Sequence, residues 1–155
     1  MSEYINADEI RKAINILIAP GAVFEIRALC TAKKDVLSGY FRDADTLFSA
    51  IKTINLRNRN VYITLGKVKE ECFSRTQSEH FVQSPTTTGD NEITAYRWLF
   101  VDLDPVRMSG VSSTDTELEA ARLLSEQVRE YLQGIGFSAP VVALSGNGYH
   151  LLYRI

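Results

Sequence analysis

Apolar residues recur along the chain with two periods, and the switches between them outline a fold. Ile10, Ala13, Ile14, Leu17 and Ile18 fall at helical spacing and stop at Pro20-Gly21, which predicts a first helix. Residues 22–29 and 37–41 read as two strands. Asp43 stands where it can cap a helix over 44–54, Asn58-Arg59-Asn60 reads as a turn, and 61–65 is a strand by composition. Residues 69–94 are polar and without periodicity. Within them 84–90 is expected to be a mobile loop and the best internal boundary.

Beyond that loop the pattern sharpens. Trp98-Leu99-Phe100-Val101-Asp102-Leu103-Asp104 is an apolar strand that ends in two carboxylates, closed by Pro105 and followed by an irregular loop over 106–113. Thr114-Asp115-Thr116-Glu117 has capping-box spacing and predicts a helix start. Leu118, Ala121, Leu124, Val128, Tyr131, Leu132 and Ile135 form the apolar stripe expected to pack in the core, and Glu117, Glu119, Glu126 and Glu130 the solvated face. Gly134 and Gly136 end this helix, 141–144 is a strand, Asn147-Gly148 is a two-residue hairpin signal, and 149–155 returns as a strand.

The expected class is α/β (α+β). A small N-terminal α/β module (1–95) precedes a β-α-β-β unit (96–155), the opening of a ferredoxin-like or RNA-recognition-type fold that needs one more helix and strand to close. The last residues, Arg154-Ile155, fall in mid-strand. This carries the expectation of a piece of a larger protein, and of an open sheet edge at 149–155 suited to pairing with a second copy.

Length and composition narrow the class further. A chain of 155 residues, 45% hydrophobic and 23% charged, suits one globular domain. Cys30 and Cys72 are isolated, which argues against a zinc ribbon and fits a reducing cytosol. His80 adds no standard zinc spacing. No apolar run is long enough for a membrane span and no signal peptide opens the chain, so a cytoplasmic location is expected. The net charge of −2 excludes a uniformly basic coat for nucleic acid. Charge is unevenly spread, however: residues 46–69 hold Lys52, Arg57, Arg59, Lys67 and Lys69 and no acid, whereas 98–155 is net acidic.

Asp102 and Asp104 are the first candidates for chemistry. Two residues apart on a strand, they project from one face, repel each other and lose solvation, and a divalent cation relieves both costs. Oxygen ligands of this kind suit Mg²⁺ or Mn²⁺ better than zinc. Taken alone, the pair is a weak signal and reads first as two solvated carboxylates at a strand end. Ser145-Gly146-Asn147-Gly148-Tyr149-His150 lies one helix and one strand later, where a split β-α-β unit brings it back toward the pair. Its glycines allow backbone amides to approach an anion, Ser145 offers a hydroxyl and His150 a donor. The alternatives here are a purely structural hairpin and a core histidine.

Together, Leu99 to Pro105 and Ser145 to Tyr153 resemble the archaeo-eukaryotic primase superfamily, most of all the primase-polymerases of phages and mobile elements. The resemblance implies a nucleotidyltransferase of replication with Asp102 and Asp104 as catalytic ligands of Mg²⁺ or Mn²⁺. It implies that Ser145, Gly146, Asn147, Gly148 and His150 lie at the phosphates of an incoming nucleoside triphosphate. Single-stranded DNA template or primer then becomes a partner, tracked by Arg57, Arg59, Lys67, Lys69 and Arg97, with a fused or associated helicase. Tyr62 and Trp98 are read as core residues in preference to base-stacking ones. The family's third carboxylate has no counterpart after Asp104, so this chain alone is expected to polymerise poorly or not at all. The rival reading is a non-catalytic module that binds nucleotide or single-stranded nucleic acid. A phosphohydrolase or glycosyltransferase use of Asp-x-Asp is disfavoured, because in haloacid-dehalogenase-type phosphatases that motif opens the chain.

Overall fold

The computed structural model describes residues 6–30, 35–56, 59–83, 86–108 and 110–155. It is an α+β protein whose chain divides into two compact units, 1–96 and 97–155.

The first unit opens with α1 (Ala7–Leu17), started by Asn6, whose side chain accepts from the amides of Asp8 and Glu9. Strands β1 (Phe24–Cys30) and β2 (Asp35–Phe41) pair antiparallel, and α2 (Ala44–Ile51) follows, capped by Asp43 as its position predicts. β3 (Asn60–Ile63) adds to the far side of β1. Residues 69–94, expected to be irregular, prove more ordered. β5 (Val82–Gln83) extends the sheet to the order β3-β1-β2-β5, and β4 (Lys67–Val68) pairs with β6 (Ile93–Ala95).

Alternation along β1 sorts two cores. Phe24 and Ile26 meet Ile14 of α1, Leu47, Ala50 and Ile51 of α2 and Phe41 of β2 in one apolar cluster. Glu25 faces the other way and is fully buried. Its carboxylate accepts from Arg27 Nε (2.9 Å), Ser38 Oγ (2.6 Å) and the Thr88 amide (3.0 Å), and the Thr88 hydroxyl bonds the Tyr40 hydroxyl at 3.0 Å. Burial acts to raise the Glu25 pKa, but these donors outweigh it and hold the carboxyl below its ordinary range. The expectation of a mobile loop over 84–90 is therefore corrected at Thr88, which is buried and tied to the sheet. Ser84 and Pro85 lie outside the described residues. Next to this network Arg75 pairs with Glu92 and donates to Tyr40 Oη at 3.1 Å. Tyr62, read as a core residue, is instead 53% exposed on β3.

The second unit runs β7 (Trp98–Leu103), α3 (Asp115–Gly134), β8 (Val141–Leu144) and β9 (Tyr149–Arg154). The sheet order is β7-β9-β8, all antiparallel, which places β9 in the centre. The open edge expected at 149–155 is thereby corrected: β8 pairs with one side of β9 through the hairpin and β7 with the other. Leu151 and Tyr153 are buried on the α3 face, where Phe137 meets Tyr153 edge-on at 5.5 Å. The capping box forms, with the Glu117 amide donating to Thr114 Oγ1 at 3.3 Å and the Thr114 amide to Glu117 Oε2 at 2.8 Å. Gly136, at φ +99°, closes the helix in the left-handed conformation.

The predicted stripe of α3 is only partly the packed one. Ala121 and Ser125 are buried, whereas Leu124, Tyr131 and Ile135 are 47%, 67% and 58% exposed. Two overlapping stripes satisfy the helical period, and the sheet meets the one centred on Ala121 and Ser125. Among the described residues no helix is long and apolar enough to cross a membrane.

Candidate metal-nucleotide site

Register assembles the site. β7 pairs with β9 so that Asp102 stands opposite His150, with Leu103 opposite Tyr149 and Phe100 opposite Leu152. Because side chains alternate, Phe100, Asp102 and His150 share the face opposite α3. His150 Nε2 lies 3.4 Å from Asp102 Oδ1, and its ring packs edge-on against Phe100 at 4.9 Å. The side chains of Asp102 and His150 are 52% and 32% exposed, so His150 is not a core histidine.

The hairpin that returns β9 to this position differs from its expected form. Its turn is centred on Gly146-Asn147, one residue before the Asn147-Gly148 signal, with the Ser145 amide donating to the Gly148 carbonyl at 3.0 Å. Gly146 takes the left-handed position at φ +95°, which glycine occupies at lower cost than asparagine. This frees Gly148 for a different role. A Cβ there would collide with the Leu103 carbonyl oxygen, and would lie 2.5 Å from Asp104 Oδ1 and 3.0 Å from Asp104 Cα. The hairpin is thus pressed directly against the end of β7, and only a residue without a side chain fits.

Ser145 organises the turn. Its hydroxyl accepts from the amides of Gly148 (2.9 Å) and Asn147 (3.3 Å), so in this state these three donors engage one another. Two residues that sequence reasoning passed over complete the surroundings. Ser113 donates from its amide to Asn147 Oδ1 (3.2 Å) and from its hydroxyl to the Asn147 carbonyl (2.6 Å), which ties the 106–113 loop to the hairpin. Arg107 lies with Nη2 3.6 Å from Asp104 Oδ2 and donates from Nη1 to the Val111 carbonyl at 2.7 Å. The i,i+3 spacing from Asp104 to Arg107 was the only local signal for it. Glu117, at the adjoining helix start, is held below the ordinary carboxylate range by the Thr114 amide and hydroxyl, and the charge of Arg107 adds to this.

The donor set can be matched to a divalent cation. Mg²⁺ in nucleotide sites takes one or two protein carboxylates and fills its remaining positions with water and substrate phosphate. Asp102 and Asp104, each about half exposed, fit that pattern. Among the described residues no group of three or more His, Cys, Asp or Glu side chains is gathered for a metal.

The basic residues sort differently. Arg59 is committed within the first unit, bidentate to Asp35 (2.8 and 2.9 Å) and donating to the Ala28 carbonyl, with its side chain only 13% exposed. Its expected role on a nucleic-acid backbone is corrected accordingly. Lys67 and Lys69 are exposed in the first unit, Arg97 is half-buried at the start of the second, and Arg57 lies outside the described residues. Cys30 and Cys72 are buried free thiols. Compared with protein-family models, curated proteins and solved structures, the chain matches none.

Proposed function

We propose that the second unit binds a metal-complexed nucleoside triphosphate and carries the nucleotidyl-transfer chemistry of a primase-polymerase. The observation that supports this best is the packing of Gly148 against Asp104, together with the pairing of Asp102 and His150 in register. It brings the two stretches that carry the family resemblance into one site, although α3 separates them in sequence. Asp102 and Asp104 hold Mg²⁺ or Mn²⁺, whose chemistry is to neutralise triphosphate charge and activate an attacking hydroxyl. His150, fixed between Asp102 and Phe100, orients a phosphate oxygen through its outward nitrogen. The glycine hairpin keeps side chains away from the space beside Asp104. A single-stranded template or primer is the expected second ligand, with Arg97 its candidate backbone contact within this unit.

A second reading has its own support. Among the described residues no group of three or more His, Cys, Asp or Glu side chains is gathered for a metal, which favours a module that binds without turnover. Titration with a nucleoside triphosphate in Mn²⁺ tests the shared claim. Wild type binds only with metal, and Asp102→Ala/Asp104→Ala and His150→Ala each weaken binding at least about tenfold, the size of a lost charge-assisted contact. Metal-independent binding, or folded variants that bind as wild type does, overturns the assignment. Template-directed extension of a labelled primer separates the two readings: incorporation at an ordinary polymerase rate rules out the binding-module reading.

A further inference from the structure

The loop after β7 is inside out. Val106 and Met108 are 101% and 76% exposed, while Arg107 between them is turned in, with its side chain only 21% exposed. Exposing apolar residues and tucking in a guanidinium runs against the usual partition, and local rules are broken in this way where a site requires it. The guanidinium is also poorly satisfied. Of its three nitrogens, Nη1 donates to the Val111 carbonyl, Nη2 stands 3.6 Å from Asp104 Oδ2, beyond hydrogen-bond reach, and Nε is buried with no partner among the described residues. An unsatisfied buried donor on a charged group is costly and calls for an explanation.

The cation therefore stands beside a carboxylate without a close bond to it. Removing a nearby positive charge favours any other cation at Asp104, whereas a planar fork with free donors is built to take a phosphate bidentately. We propose that Arg107 is an exchangeable counter-cation. It shields Asp104 when no metal is bound and turns its free N–H groups to the β,γ-phosphates when a metal-triphosphate arrives. It couples the two ligands, making the site poor for bare metal and good for metal carried on a triphosphate. This rests on the nucleotide reading above and adds a phosphate-binding residue and a selectivity to it.

The test is a binding titration of the whole chain, read by Mn²⁺ electron paramagnetic resonance and calorimetry. Its probes are Mn²⁺ alone, a non-hydrolysable deoxynucleoside triphosphate with Mn²⁺, and the corresponding monophosphate with Mn²⁺. Arg107→Gln binds bare Mn²⁺ about two- to fivefold more tightly, the range for a partly exposed charge pair, and the triphosphate about tenfold or more weakly, while the monophosphate is unchanged. Arg107→Lys keeps wild-type affinity for bare Mn²⁺, because the charge remains, but loses severalfold for the triphosphate, because the fork is gone. The opposite signs are what a merely structural residue cannot produce. Equal weakening of both ligands, or no change in either variant, overturns the inference. If Arg107→Gln does not fold, Arg107→Lys decides. A wild type without Mn²⁺-dependent triphosphate binding, or with binding that survives Asp102→Asn/Asp104→Asn, removes the nucleotide reading and this inference together. Wild-type binding with unaltered Arg107 variants removes the inference alone.

Discussion

Gly148→Ala is the most direct perturbation of the site, because its cost is steric and its neighbours cannot move aside. The added Cβ collides with the Leu103 carbonyl and comes within 2.5 Å of Asp104 Oδ1 and 3.0 Å of Asp104 Cα. Two of these three are backbone atoms, so relief has to come from lifting the hairpin away from the end of β7. Overpacking of this kind costs about 1–3 kcal/mol. For a chain of this length about 2 kcal/mol lowers Tm by about 4–8 °C. Gly146→Ala is the matched control. Gly146 has no atom within 4 Å of its would-be Cβ, and its φ of +95° makes the penalty conformational only, about 1 kcal/mol. The two variants, followed by circular dichroism melting and Mn²⁺ titration, separate shape from strain. Gly148→Ala loses both Tm and at least about tenfold in Mn²⁺ affinity, since it displaces Asp104. Gly146→Ala loses a smaller part of Tm and keeps its Mn²⁺ affinity. A Gly148→Ala protein that melts and binds like wild type would falsify the claim that the hairpin is packed against the carboxylate.

Three further outcomes follow from the first unit and from α3. Glu25→Ala strands Arg27, Ser38 and the Thr88 amide around a buried gap and lowers stability by about 3 kcal/mol in urea denaturation; a loss under about 1 kcal/mol contradicts the network. Glu92 is held at about 2 by Arg75 against an ordinary 4.5, so its contribution is complete above pH 4.5 and is lost as pH falls from there toward 2. Tm measured across that window drops less steeply in Glu92→Gln than in wild type, and parallel curves refute the pairing. Thr114→Ala removes the cap of α3 and costs about 1 kcal/mol, measured by the same denaturation; no loss means that the capping box carries no stability.

What could be read from the sequence was whatever is settled between near neighbours. Thr114 and Glu117 announce the start of α3 because their reciprocal bonds span one turn, and Asp43 announces α2 in the same way. The candidate pair Asp102 and His150 was legible because β-α-β-β order constrains which strands meet. Features set at a distance were not. Arg59 looked available for a phosphate because its partner, Asp35, sits 24 positions earlier. Thr88 looked mobile because the carboxylate that holds it is 63 positions away in β1. The strand 149–155 looked like an edge because its pairing with β7 leaps over a whole helix. Arg107 was invisible for a related reason: nothing in Val106-Arg107-Met108 says that the charged residue turns inward and its apolar neighbours outward.

The central place of β9 sets the order in which the site can come into being. The β8–β9 hairpin is a local contact and closes on the microsecond scale of such elements, so His150 reaches its strand position early. Asp102 joins it only when β7, separated from β9 by the length of α3, docks along the other side, and non-local contacts of this kind dominate folding times. The carboxylate–imidazole pair is therefore a clock for the second unit. Its formation marks the moment when the sheet is complete, and a signal from the His150 ring, quiet until Phe100 and Asp102 arrive, times that closure directly.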